Sequence, residues 1–71
     1  MFSDARLKTA IKKLITATNG VEIVEFEYKN DPIHRKFVGV IAQQVRKIVP
    51  ESVRYDKATG FLMVDYSRVF S

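Results

Sequence analysis

An α+β fold is predicted by two hydrophobic periods that alternate along the chain and by the turn residues that separate them. Apolar residues recur at three- and four-residue steps near the N-terminus and again in the middle, the signature of helices with one buried face. Between and after those stretches apolar and polar residues alternate one for one, the signature of half-buried strands. The predicted order is an N-terminal helix, two strands, a second short helix and two more strands, with the helices packed on an antiparallel sheet. With 71 residues the chain makes one domain, 1–71.

The first helix is expected over 4–18, where Leu7, Ala10, Ile11, Leu14 and Ile15 form the stripe and Lys8, Lys12 and Lys13 lie off it. Ser3 is a residue type that caps helix N-termini, and Asp4 places negative charge in the first turn. Asn19-Gly20 tolerates the left-handed conformation that ends a helix. A strand follows over 21–29, with Val24, Phe26 and Tyr28 alternating with Glu25, Glu27 and Lys29. Asn30-Asp31-Pro32 makes a turn. The second strand, 36–41, contains Gly39, a residue that within a strand marks a bulge or a close backbone approach. A short helix over 42–49 places Ile41, Val45 and Ile48 on one side and is stopped by Pro50. Two last strands, 52–55 and 61–66, flank a hairpin loop at 56–60 that ends in Gly60.

Size makes such a domain marginal. A chain this short buries only about 60% of its unfolded surface, and small domains rely on disulfides, metals or association. There is no cysteine, and the one histidine, His34, has no cluster of carboxylates near it in sequence. No metal site and no cofactor are expected, and association is the support that remains. Twelve Lys and Arg stand against eight Asp and Glu, a net charge of +4, but the bases are spread out and read as a solvated surface. Nucleic acid is therefore not the expected partner. No apolar run reaches the roughly 18 residues of a membrane span, and the N-terminus lacks the apolar region of a signal peptide. The chain is expected to start in a cytoplasm, away from membranes.

Four segments carry something more specific: SDARLK at 3–8, VEFEYKN at 24–30, VGVIAQQVRKIVPESV at 38–53 and GFLMVDYSRV at 60–69. In this order they closely resemble the C-terminal intramolecular chaperone of endosialidase tailspikes, also classed as a self-cleaving serine peptidase domain. The resemblance covers nearly the whole chain. It implies a homotrimer that aligns three copies of a phage tail fibre or tailspike chain, lets the intertwined shaft fold, and is then cut free beside the motif serine. It also implies a catalytic pair of Ser3 and Lys8 in a cleavage motif that includes Asp4, Arg6 and Leu7. Phe26, Tyr28, Gly39, Ala42, Gln43, Pro50 and Tyr66 become structural or interface residues. The place of action implied is the host cytoplasm during virion assembly, or the virion tail.

A serine hydroxyl attacks only when a base takes its proton, and a lysine serves as that base only when its pKa is lowered toward neutrality. Ser3 and Lys8 are five residues apart, so on a regular helix they point about 140° away from each other. Either Ser3 lies outside the regular helix, or the lysine comes from a neighbouring subunit. Plainer readings stand beside these roles: an N-cap for Ser3, a solvated helix lysine for Lys8, a surface ion pair for Arg6, an exposed polar residue for Gln43. The aromatics on alternating strand positions are expected in the core or at a subunit interface, and His34 in a loop.

Only Met1 and Phe2 precede Ser3, and the long helices that end many chains of the family do not follow the last strand. A fragment, a separately encoded chaperone acting in trans, and the product of a longer precursor all remain open. Two other readings compete: a small basic phage nucleic-acid-binding protein, and a structural fibre-tip domain without processing.

Overall fold

The computed structural model describes residues 1–70. The order is a 3₁₀ turn at Ala5–Leu7, strand β1 at Lys8–Thr16, β2 at Glu22–Tyr28 and β3 at Phe37–Gly39. Helix α1 follows at Ala42–Ile48, then a second 3₁₀ turn at Pro50–Ser52, β4 at Val53–Tyr55, β5 at Leu62–Val64 and helix α2 at Tyr66–Val69. The class is α+β with two helices and antiparallel strands. The strands form two sheets, a three-stranded one in the order β1-β2-β3 and the β4-β5 hairpin.

The predicted N-terminal helix is absent; a strand and a short 3₁₀ turn stand in its place. The reason lies in the pairing of β1 with β2. Lys8 pairs with Tyr28 and Thr9 with Glu27, but Lys12 is next, opposite Glu25, and Ile15 follows Lys13 where the partner strand advances by only one residue. Two bulges thus add residues to β1, the first beside Ala10, whose φ is +51°. Each extra residue shifts the side-chain alternation, so a strand acquires apolar spacings of three and four. The stripe does not face a core: Ile11, Leu14 and Ile15 are exposed, 62% in the case of Ile15. Asn19-Gly20 closes the β1-β2 hairpin instead of ending a helix. Gly20 N–H donates to the Ala17 carbonyl (2.9 Å) with φ at +96°, a conformation suited to glycine.

The central strand β2 follows its alternation. Val24 and Phe26 are buried while Glu25 and Glu27 face the other side, where Lys36 pairs with Glu27 at 3.3 Å. Phe26, Tyr28 and Phe37 form an aromatic cluster, with Phe26 and Phe37 stacked at 6.0 Å and Tyr28 edge-on to both. The main core gathers Val21, Val40, Ala42, Val45, Leu62, Val64 and Val69. It is built from small side chains, each worth at most about 1.5–3 kcal/mol on burial, so little stability is in reserve. Pro50 ends α1 as expected and opens the next 3₁₀ turn while remaining exposed. Tyr66, expected at the end of the last strand, instead begins α2, because Asp65 caps that helix by accepting from Ser67 N–H (3.1 Å).

Gly39 is a close approach and not a bulge: its register with Val24 is regular. A Cβ there would lie 2.7 Å from the Tyr66 hydroxyl and 3.4 Å from the Phe26 ring. That hydroxyl accepts from Val40 N–H at 3.1 Å, so it is not free to move away. Gly39→Ala is expected to lower the unfolding free energy by about 1–3 kcal/mol. In a Tyr66→Phe background the same change should cost clearly less, because the clashing oxygen is gone. Chemical denaturation of the four proteins of the cycle measures both.

Candidate functional site

Ser3 is held from both sides. On its N-terminal side residues 1–3 run antiparallel along β5. The Met1 amine donates to the Val64 carbonyl (3.2 Å), Val64 N–H to the Met1 carbonyl (2.8 Å) and Ser3 N–H to the Leu62 carbonyl (3.1 Å), while Phe2 bridges Met63. The ladder then ends, because Leu62 N–H donates to Asp4 Oδ2 (2.9 Å) and the Ser3 carbonyl accepts from Ala42 N–H at the start of α1 (2.7 Å).

On the C-terminal side Asp4 is the anchor. It is fully buried, and its Oδ1 accepts from Arg6 N–H (2.9 Å), Arg6 Nε (3.0 Å) and Gln43 Nε2 (2.9 Å). Oδ2 accepts from Arg6 Nη2 at 2.8 Å in addition to Leu62 N–H. The Arg6 guanidinium and the backbone donors outweigh desolvation and hold the Asp4 carboxyl well below the usual carboxylate range. Arg6 also donates to the Gly60 carbonyl (2.6 Å) and lies over the Phe61 ring, 5.0 Å from its centroid. Gln43 completes the frame by accepting from Ala5 N–H (2.8 Å). Asp4, not Ser3, caps the 3₁₀ turn, so the expected N-cap role of Ser3 does not hold.

Within this frame the Ser3 hydroxyl stands alone. Ser3 is completely buried, and its Oγ has no hydrogen-bond partner among the described residues. Burying a hydroxyl without a partner costs about 1–3 kcal/mol, so such a group in a well-bonded surrounding calls for a reason. Lys8, the first residue of β1, is also buried, at 3% exposure. Its Nζ donates to the Val40 carbonyl (2.8 Å) and sits 3.9 Å from the centre of the Phe26 ring. Burial pushes the ammonium pKa down to about 8, while the charge of Asp4 opposes the shift. The expected solvated lysine is thus replaced by a buried one with an amine available near neutral pH. The helical angle between Ser3 and Lys8 no longer applies, since one precedes a 3₁₀ turn and the other opens a strand. No hydrogen bond joins the two.

The model of the Peptidase_S74 family, described as chaperone of endosialidase, matches residues 3–54. The chain belongs to this family. No curated protein and no solved structure matches it. The matched stretch holds Ser3, Asp4, Arg6, Lys8, Phe26 and Gln43 of the site and stops before β5.

Of the residues singled out by sequence, the fold brings Ser3, Asp4, Arg6, Lys8, Gln43, Ala42 and Phe26 to one place. Leu7 only borders it, its carbonyl accepting from Lys29 N–H (3.0 Å). Gly39 and Tyr66 act behind it, shaping the Val40 backbone that receives Lys8. Tyr28 belongs to the aromatic cluster, and Pro50 lies in the exposed 3₁₀ turn. Sequence reasoning missed the Leu62 N–H, Gly60 carbonyl and Val40 carbonyl. These are backbone groups that no side-chain pattern announces.

Asp4→Ala would strip buried Leu62 N–H and Gln43 of their acceptor and is expected to cost about 1–3 kcal/mol in urea unfolding. The parent should also lose stability as pH falls below about 4, because the unfolded carboxyl takes up a proton there while folded Asp4 stays ionised. That part of the acid slope should be missing in the variant.

Proposed function

We propose that this chain is a homotrimeric folding chaperone for a phage tail fibre or tailspike chain, released from its client in the host cytoplasm by a Ser3/Lys8 self-cleavage reaction. The observation that carries the reading is the pairing, in the family's SDARLK motif, of a buried serine hydroxyl without a partner and a buried lysine whose pKa lies near 8. Trimer formation is supported by the chain's small core and by β1, an edge strand that exposes Ile11, Leu14 and Ile15 beside an unpaired backbone edge.

The neutral Lys8 amine takes the proton of Ser3 Oγ, and the oxygen attacks the carbonyl carbon of a peptide bond beside Ser3. A C–O bond forms, the C–N bond breaks and the leaving nitrogen takes the proton from Lys8. One water then hydrolyses the ester and restores the hydroxyl. For this to start, Nζ must exchange the Val40 carbonyl for Ser3 Oγ, which ties the chemistry to how the domain is packed. Assembly of three copies is the event that triggers it.

In a fusion with a folded domain joined ahead of Met1, two bands are expected on a denaturing gel, and one band after Ser3→Ala. The cleavage rate should rise with pH about a midpoint near 8 instead of above 10, because only the deprotonated amine accepts the proton. After dilution below the concentration of trimer dissociation the rate should fall. A rate preserved in isolated monomers would remove the assembly trigger, and cleavage surviving Ser3→Ala would remove the dyad.

A further inference from the structure

The edge of β5 that faces residues 1–3 has no part in the sheet of β1, β2 and β3. Its other edge pairs with β4, through Val53 with Val64 and Tyr55 with Leu62. Residues 1–3 therefore add a third strand to the β4-β5 hairpin. They do so entirely through backbone groups, at Val64 and Leu62, while the Phe2 and Met1 side chains stay substantially exposed. β5 ends at Val64: Asp65 N–H donates on the β4 side to the Ser52 carbonyl (2.8 Å), and α2 begins at Tyr66. At that point a cavity of about 370 Å³ opens beside Met1, with Met63 and Tyr66 as apolar walls and Arg54 and Asp65 among the lining residues.

We propose that the edge of β5 that holds residues 1–3 and the cavity beyond it form a strand-binding groove for the polypeptide on the N-terminal side of Ser3, recognised through its backbone. The inference rests on the self-cleavage reading and adds the part that presents the substrate. An extended segment fixed by main-chain bonds holds the peptide bonds next to Ser3 in a single orientation, the arrangement that lowers the entropic part of a reaction barrier. Recognition by backbone leaves side chains free to vary, which suits a domain that must serve whatever chain is joined to it. The residue ahead of Met1 then reaches the cavity. Leu62 and Val64 are positioning residues, acting through the segment they hold.

The register gives the test its form. At position 1 the backbone N–H is bonded to Val64, whereas at position 2 no hydrogen bond of the N–H is found among the described residues. In a fusion with a folded domain ahead of Met1, Met1→Pro should slow cleavage about tenfold, the value of one lost hydrogen bond. Met1→Ala, which shortens the same side chain but keeps the N–H, should slow cleavage clearly less than Met1→Pro. Equal rates for Met1→Pro and the parent, or an equal loss in Met1→Ala, would overturn the groove. A second measurement stands apart from cleavage. In the uncut Ser3→Ala fusion, amide exchange at Val64, whose N–H donates to the carbonyl of residue 1, should be slowed to the level of core amides such as Val45. Fast exchange at Val64 beside a protected Val45 would overturn the groove even if cleavage occurs. A protected Val64 in a fusion that is never cut would keep the groove and sink the self-cleavage reading.

Discussion

The Asp4 carboxylate is the constraint on which the rest of the structure depends. It joins three pieces distant in sequence: the N-terminal segment, helix α1 through Gln43, and β5 through Leu62 N–H. A buried carboxylate is tolerated only when its oxygens are fully engaged, and here both are. Because Arg6 supplies the positive charge from the solvent side, the carboxylate stays ionised while the guanidinium keeps most of its hydration. The backbone of Ser3 is fixed as a result, with its carbonyl on Ala42 N–H and its amide on the Leu62 carbonyl. The one group of Ser3 left unsatisfied is its hydroxyl. A fold with so few large side chains in its core commits much of its polar bonding to this corner, and the outcome is a serine held by its backbone whose hydroxyl is not engaged.

Lys8 shows the complementary economy. An ammonium ion in the interior needs compensation, and it receives it from one carbonyl, one aromatic face and the distant charge of Asp4. These partners are enough to hold the residue inside but not enough to restore its ordinary pKa. The balance is what leaves a free amine in reach of physiological pH, and each partner comes from a different part of the chain. Val40 is itself positioned by Tyr66, which requires that residue 39 have no side chain. The glycine on a strand, the tyrosine on a helix and the buried lysine therefore belong to one arrangement.

The sequence made some of this plain and hid the rest for identifiable reasons. The alternation Val24-Glu25-Phe26-Glu27 was legible because one face of β2 is buried and the other solvated. Pro50 and Gly60 marked their boundaries because their backbone restrictions do not depend on tertiary context. The stretch from Lys8 to Thr16 misled because its bulges spread the apolar residues to helical spacings while long-range pairing with β2 selected a strand. At the site, motif similarity singled out Ser3, Asp4, Arg6 and Lys8. It could not show that Asp4 binds Leu62 or that Lys8 binds Val40, since those partners are main-chain atoms brought in by the fold. Gln43 was read as structural or at an interface, and its amide proves to bridge Asp4 and Ala5.

The two irregularities in β1 have a further consequence. An uncovered strand bearing three exposed aliphatic side chains would ordinarily recruit copy after copy into a growing fibril. An inserted residue bends and twists the strand at each interruption, and Lys12 and Lys13 put positive charge on the same stretch. A flat ladder cannot propagate across such an edge. Polymerisation is thereby discouraged at the place where the surface is most adhesive, and any contact made there is confined to a short and curved patch.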